Sequence, residues 1–288
     1  MGERALRILL ACVALAGMGS TPGLAAQDYH PIEFSQPLKL SRGQIFPQFG
    51  DATYLSHDES CRFLEKEQGW PPGDCDGVDN LLAAPAPGID SAVVYKPVNE
   101  GYVRFDDWSQ SNEQIDGIWA GFVEAMKAQG QRLNKNLVPE GWLVYPTLDK
   151  NKAYMYYALV VDWDGRRSIN IKGSLFDRSG YVPFLIVPEG ATLPGAQVQS
   201  VVTRFLSSYT SDPGSSYLDF KPGDKVAVIG AAGVLAALMG VKLAKVAAIG
   251  IFATALAIGK KLVFLLLIAP FLGLKPVRPT DTSASATA

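Results

Sequence analysis

Apolar and polar positions alternate through the middle of this chain, recur at helical spacing on either side of it, and lose all alternation near the end. The alternating part comprises residues 141–145, 153–162, 167–176 and 181–187, all rich in β-branched and aromatic side chains. Asp149-Lys150-Asn151, Asp164-Gly165 and Arg178-Ser179-Gly180 separate them, and all three have the composition of hairpin turns. An antiparallel meander is the expectation. Residues 92–96 read as a further strand, with 101–105 as its hairpin partner across Asn99-Glu100, and 44–49 as a short strand near the start. Residues 76–90, with Pro85 and Pro87, read as a turn-rich connector.

Helical spacing governs three segments. Ile115, Ile118, Trp119, Phe122, Val123 and Met126 form one stripe and predict an amphipathic helix over 111–132, with Trp119 and Phe122 turned to the core. Val198, Val201, Val202, Phe205 and Leu206 do the same for 194–208. A shorter helix over 57–68 is capped by Ser56, has Glu59 three residues on, and is stopped by Gly69-Trp70-Pro71-Pro72. The fold class is therefore α+β, an antiparallel sheet meander with flanking helices. Pro213-Gly214 and Pro222-Gly223 form a neck after the last of them.

Residues 226–274 are apolar apart from Thr254, Lys242, Lys245, Lys260 and Lys261, which predicts C-terminal transmembrane helices. At the other end, Arg4 and Arg7 precede an apolar run over 8–15 and small residues up to Ala25-Ala26, the pattern of a secretory signal peptide. Four regions follow: a leader at 1–25, an exported domain at 26–225, an anchor at 226–274 and a disordered tail at 275–288. The part between residues 27 and 219 is expected to fold without the anchor. The lysines divide the anchor into 226–241, 246–259 and 262–274, each short of the ~20 residues a crossing needs. Burying Lys260 and Lys261 at mid-bilayer would cost roughly 2.5–3.5 kcal/mol each. Gathering the lysines on the cytoplasmic side gives a two-crossing hairpin, and three short crossings is the alternative. Gly233, Ala236, Ala237 and Gly240 recur at helical spacing and would admit a second helix closely, either within the hairpin or from a partner.

Charge then narrows the partners. Beyond Lys225 there are six Lys or Arg and one acid, and the leader holds two Arg and one Glu, so the whole-chain −2 leaves −8 on residues 26–225. That balance argues against nucleic acid and anionic headgroups as ligands of the exported domain. The lipid bilayer and another envelope protein are the expected partners.

Cys12 lies in the leader, which leaves Cys61 and Cys75 as an exported pair and predicts one disulfide, with two free thiols as the alternative. Leu9-Leu10-Ala11-Cys12 loosely resembles a lipidation box, but the apolar run continues past it, which argues against lipoprotein processing.

Candidate chemistry is sparse. His30 and His57 are the only histidines and neither has metal-ligand spacing, so a zinc site or a Ser-His-Asp triad has no support. Asp162-Trp163-Asp164-Gly165 lacks the remaining ligands of a calcium loop and reads as a hairpin turn. There is no CxxC motif and no glycine-rich phosphate loop. No catalytic, cofactor or metal residue is expected. Tyr154, Tyr156 and Trp163, on one strand with Tyr157, offer a ligand face or simply packing. Asp106, Asp107, Asp162 and Asp164 are the carboxylates that a metal-dependent hydrolase would have to use.

Arg62-Phe63-Leu64, Gly101-Tyr102-Val103, Ile115-Asp116, Gly141-Trp142 with Pro146, Ser179-Gly180-Tyr181 and the neck from Tyr217 through Lys225 to Ala227 occur in a collinear order. That order, over about residues 60–274, resembles the DUF2167 family of predicted membrane-anchored bacterial proteins. The chain departs from the pattern at Cys61 and Cys75, and at Tyr156-Tyr157-Ala158 where Tyr-Trp-Ala is typical. The resemblance implies an envelope protein of the bacterial inner membrane, its domain in the periplasm, with no assigned activity to carry over. The meander followed by helix 194–208 is also similar to the PsbP/Mog1-like sandwich, an analogy of fold alone. A non-enzymatic interaction or sensing module is the leading expectation, with a carboxylate hydrolase or a small-molecule or lipid binder as alternatives.

Overall fold

A computed structural model describes residues 29–241 apart from 34, 49–51, 68–69, 71–72, 109–111 and 190–192. The four alternating segments form β7 (Leu137–Asp149), β8 (Tyr154–Trp163), β9 (Arg166–Asp177) and β10 (Gly180–Pro188), joined as the expected antiparallel meander. Before them come β1 (Ile32–Glu33), β4 (Thr53–Leu55), β5 (Val78–Ala83) and β6 (Ile89–Tyr95). The eight make one antiparallel sheet ordered β1-β4-β5-β6-β10-β9-β8-β7. A second sheet, ordered β11-β3-β2, joins β2 (Leu38–Leu40), β3 (Gly43–Ile45) and β11 (Tyr209–Ser211). The α+β class with an antiparallel meander is thus observed.

Two strand expectations change. The connector at 76–90 contains β5, and residues 101–105 are not the partner of β6. Both edges of β6 are taken, by β5 and β10, so 101–105 pairs instead with the chain around Val226. Strand β7 runs beyond its apolar part to include Pro139 and Pro146, and its register with β8 shifts at three places.

Helices cover both faces. Helix α1 (His57–Lys66) begins at Ser56, whose hydroxyl accepts from the Glu59 N–H at 3.4 Å. Helix α2 (Asn112–Leu133) buries Ile115, Ile118, Phe122 and Met126, the stripe read from spacing. Trp119 is half-buried, between Phe122 and Trp142. Helix α3 (Gly195–Ser207) buries Val198, Val201, Val202 and Phe205. A last helix, α4 (Ala231–Leu238), lies within the part read as membrane anchor.

The period of two assigns each strand residue a side. Met155, Tyr157, Leu159 and Val161 share one apolar cluster with Phe63, Phe122 and α4, whereas Tyr154, Tyr156 and Ala158 share another with α3 and the small sheet. The large sheet is therefore sandwiched between α1, α2 and α4 on one face, and α3 with the three-stranded sheet on the other.

The boundary expected after Lys225 is where the structure differs most. Ile229, Ala231, Val234, Leu235, Leu238 and Met239 are all buried in the first cluster, so the fold runs on to Val241. No helix of the described residues is long and apolar enough to cross a membrane. The leader, the apolar pieces at 246–259 and 262–274, and the tail at 275–288 lie outside the described residues.

Candidate functional site

The least expected feature of the interior is a polar file along β9. Ser168, Asn170, Lys172 and Ser174 are successive same-side residues of that strand, all buried on the face shared with α2 and α4. Lys172 stands directly between Tyr157 on β8 and Leu185 on β10, and Ser174 between Met155 and Pro183. Ser168 donates its hydroxyl to the Val161 carbonyl at 3.3 Å. By contrast, Lys172 Nζ, both carboxamide atoms of Asn170 and the Ser174 hydroxyl meet no hydrogen-bond partner among the described residues. The hydroxyls of Tyr95 and Tyr181 and the Gln129 carboxamide share that condition.

A buried polar atom without a partner costs about 1–3 kcal/mol, so such a file weighs against the apolar packing around it. Burial alone holds the Lys172 amine well below lysine's ordinary range. Burial likewise pushes the Tyr157 and Tyr95 hydroxyls well up, and Tyr157 adds to the rise at Tyr95.

Above this file lies a strap that leads into α4. Tyr102 donates its N–H to the Lys225 carbonyl at 2.8 Å, Ala227 donates back to Tyr102 at 2.9 Å, and Ala231 donates to Arg104 at 3.0 Å. Gly101, at φ 108°, permits the approach, because a Cβ there would stand 2.7 Å from the Lys225 carbonyl oxygen. The strap's start is pinned by Arg178, which grips Asp224 through two bonds of 2.7 and 2.6 Å. Hydrogen bonding from Arg178 lowers the Asp224 carboxyl to about 2.

Both ends of α4 are held by polar contacts. The Asp107 carboxylate accepts from the Ala232 N–H at 3.4 Å, placing a negative charge at the helix N-terminus. Burial raises the Asp107 pKa, and the N–H groups of the first turn of α4 oppose that rise. At the other end the Tyr157 hydroxyl donates to the Leu238 carbonyl at 3.2 Å. The chain then reaches Val241, which packs on Gly121 of α2.

The residues singled out by sequence are scattered. Cys61 and Cys75 form a disulfide, with Cα atoms 5.2 Å apart, that ties α1 to the 3₁₀ turn Asp74–Gly77. Tyr154 and Tyr156 point into one cluster and Trp163 into the other. Being an even and an odd set on one strand, they share no face, and all three are buried as packing. Gly233, Ala236, Ala237 and Gly240 lie in α4 or just after it, and Gly233 fits against Ile229. They pack inside the domain.

The four carboxylates do not meet either. Asp107 precedes α2, while Asp164 follows it in space, bonded to Lys135 at 2.8 Å and to the Asn136 N–H at 2.7 Å. The 22 residues of α2 between them span about 33 Å. Asp162 accepts from the Gly165 N–H at 2.8 Å, closing the β8–β9 hairpin, and Asp106 is exposed. Among the described residues no three His, Cys, Asp or Glu side chains are grouped as metal ligands.

Lys172, Asn170, Ser174 and Tyr95 are not among the residues that the sequence singles out. The signal was present as polar residues alternating with Ile169 and Ile171, but that pattern is also what a sheet with one wet face would show.

The family model described as "Protein of unknown function (DUF2167)" matches residues 46–271. No curated protein matches the chain. Among solved structures, the solution structure of cyanobacterial PsbP (CyanoP) from Synechocystis sp. PCC 6803 is similar with a TM-score of 0.31 and 11% identity, over 68% of this chain and 99% of that one. A likeness that distant carries no argument.

Proposed function

This chain belongs to the DUF2167 family, and from that premise we propose that it is a non-enzymatic sensing or interaction module, held in the bacterial inner membrane by its apolar tail, with its domain in the periplasm. The observation that carries the reading is the strap. Residues 225–241 connect the tail to the segment around Tyr102 and Asp107 and, through Tyr157, to strand β8 of the main sheet. A displacement of the tail would therefore be felt under the main sheet, and a change in the domain would be felt by the tail.

Other features support the placement. The leader pattern and the Cys61–Cys75 disulfide suit export to an oxidising compartment. With residues 226–241 committed to the domain, the apolar chain from 246 to 274 is the stretch offered to the bilayer, and it exceeds the ~20 residues of one crossing. The domain's charge of −8 favours a protein partner of the envelope over nucleic acid or an anionic membrane surface.

Fractionation tests the anchor. The full chain is expected to stay with the membrane through a high-salt wash, and a chain ending at Val241 to appear as soluble periplasmic protein. A full chain released by salt would refute the tether. Crosslinking in native membranes then tests for the partner, and a full chain that yields no specific adduct speaks against the interaction reading.

A further inference from the structure

Lys172, Asn170 and Ser174 stand in file on β9 and Tyr95 lies on the same face, each more than nine-tenths buried and each with a polar atom that meets no partner among the described residues. In folded interiors such groups are completed by ordered water or by something bound. The set is rich in donors: even a neutral amine brings two, a carboxamide two and each hydroxyl one. No acidic side chain contributes to the state of Lys172, which is governed by burial alone. The complement of this set is therefore rich in acceptors, and one that also brings a negative charge would favour the ammonium form of Lys172. The walls are apolar, with Leu185 and Val93 in register on one side of Lys172, and Leu159 beside Tyr157 on the other.

The roof over this floor is a short helix. Helix α4 has eight residues, too few to hold a helix without packing. It is built of Ala, Gly, Val and Leu, so it offers no side-chain polar atom to the groups below. The Asp107 carboxylate and the Tyr157 hydroxyl hold its two ends, Ala231 donates its N–H to the Arg104 carbonyl, and apolar packing in the first cluster supplies the rest of its hold.

We propose that the sheet face beneath α4 is a binding site for an amphipathic carboxylate, with its head on Lys172, Asn170 and Ser174 and its chain in the slot that α4 fills in the closed form. The inference deepens the sensing reading by naming a ligand class, and it rests on that reading for the link between α4 and the tail. A carboxylate on Lys172 reverses the effect of burial on the amine and makes a charge-assisted pair where neutral groups now stand unpaired.

The test titrates the full-length chain in non-ionic detergent with dodecanoate, uses dodecanol as the uncharged control, and counts retained copies by native mass spectrometry. One retained dodecanoate and no retained dodecanol are expected. Lys172→Met should weaken retention by about tenfold or more. A second arm pairs Gly121→Cys with Val241→Cys, because a Cβ on Gly121 would stand 3.6 Å from the Val241 Cβ, within the span of a disulfide. Oxidised, that chain should exclude dodecanoate while the oxidised unaltered chain binds it; reduced, it should bind as the unaltered chain does under the same reductant, which opens Cys61–Cys75 in both. The comparison uses one polypeptide, so it holds even where Lys172→Met fails to fold. Equal retention of dodecanol, or retention indifferent to both Lys172→Met and the lock, would overturn the proposal. So would no retention at all, which leaves ordered water as the completion of the file. Binding is read in detergent, so its failure leaves the membrane tether standing.

Discussion

At the scale of single residues, Lys172 reverses the usual rule for core substitutions. Replacing a buried side chain generally costs stability, but here the native group is an amine that burial forces towards its neutral form. Lys172→Met keeps the volume and removes the unpartnered atom, so denaturant unfolding should show a gain of about 1–3 kcal/mol. The pH dependence has a definite sign. The folded pKa lies below the unfolded value of 10.5, so the unfolded chain binds the extra proton, and this residue's contribution to stability rises with pH towards 10.5. The variant should lack that slope. Phe122, fully buried in the same cluster, gives the ordinary contrast. Phe122→Ala should cost about 3–5 kcal/mol, and a loss under about 1 kcal/mol would mean that its site collapses around the gap.

At the scale of elements, length decided what could be read. The meander strands and α2 extend over enough periods for spacing to identify them, and their turns carry the expected residues. Strand β5 was hidden because Asp79 and Asn80 interrupt it. In the structure the Asn80 amide donates to the Leu55 carbonyl at 3.1 Å, so a polar residue is fully accommodated in a buried strand. For residues 101–105 the sequence offers the nearest strand as partner, but the neighbour in the structure is more than a hundred residues away, at Val226. The polar file on β9 was equally out of reach, since no local pattern says that a second layer covers that face. Helix α4 was seen as apolar, but apolarity alone does not distinguish a bilayer from a domain core. The two destinations predict different truncations. A chain spanning residues 27–241 should unfold cooperatively. One ending at Asp219 loses Val234, Leu235 and Leu238 from the core and should show a broadened transition or bind a hydrophobic dye.

At the scale of the whole molecule, stability depends on ties between distant segments. The disulfide closes α1 onto the 3₁₀ turn, and Arg42 holds Asp177 at 2.9 Å, joining the small sheet to the end of β9. Replacing Cys61 by Ser should cost about 3 kcal/mol, as the chain-entropy account gives for a loop of this length. Reducing agent should bring the unaltered chain down to the same midpoint, and a chain indifferent to reduction would show that the tie constrains little. The sheet's rims carry a separate consequence. On one side β7 presents Pro139 and Pro146, which supply no N–H, and breaks its register three times. On the other, β1 is two residues long. A stray strand laid along either rim would find too few consecutive donors and acceptors to zip up. The main sheet thus resists growing into a polymer through its own edges.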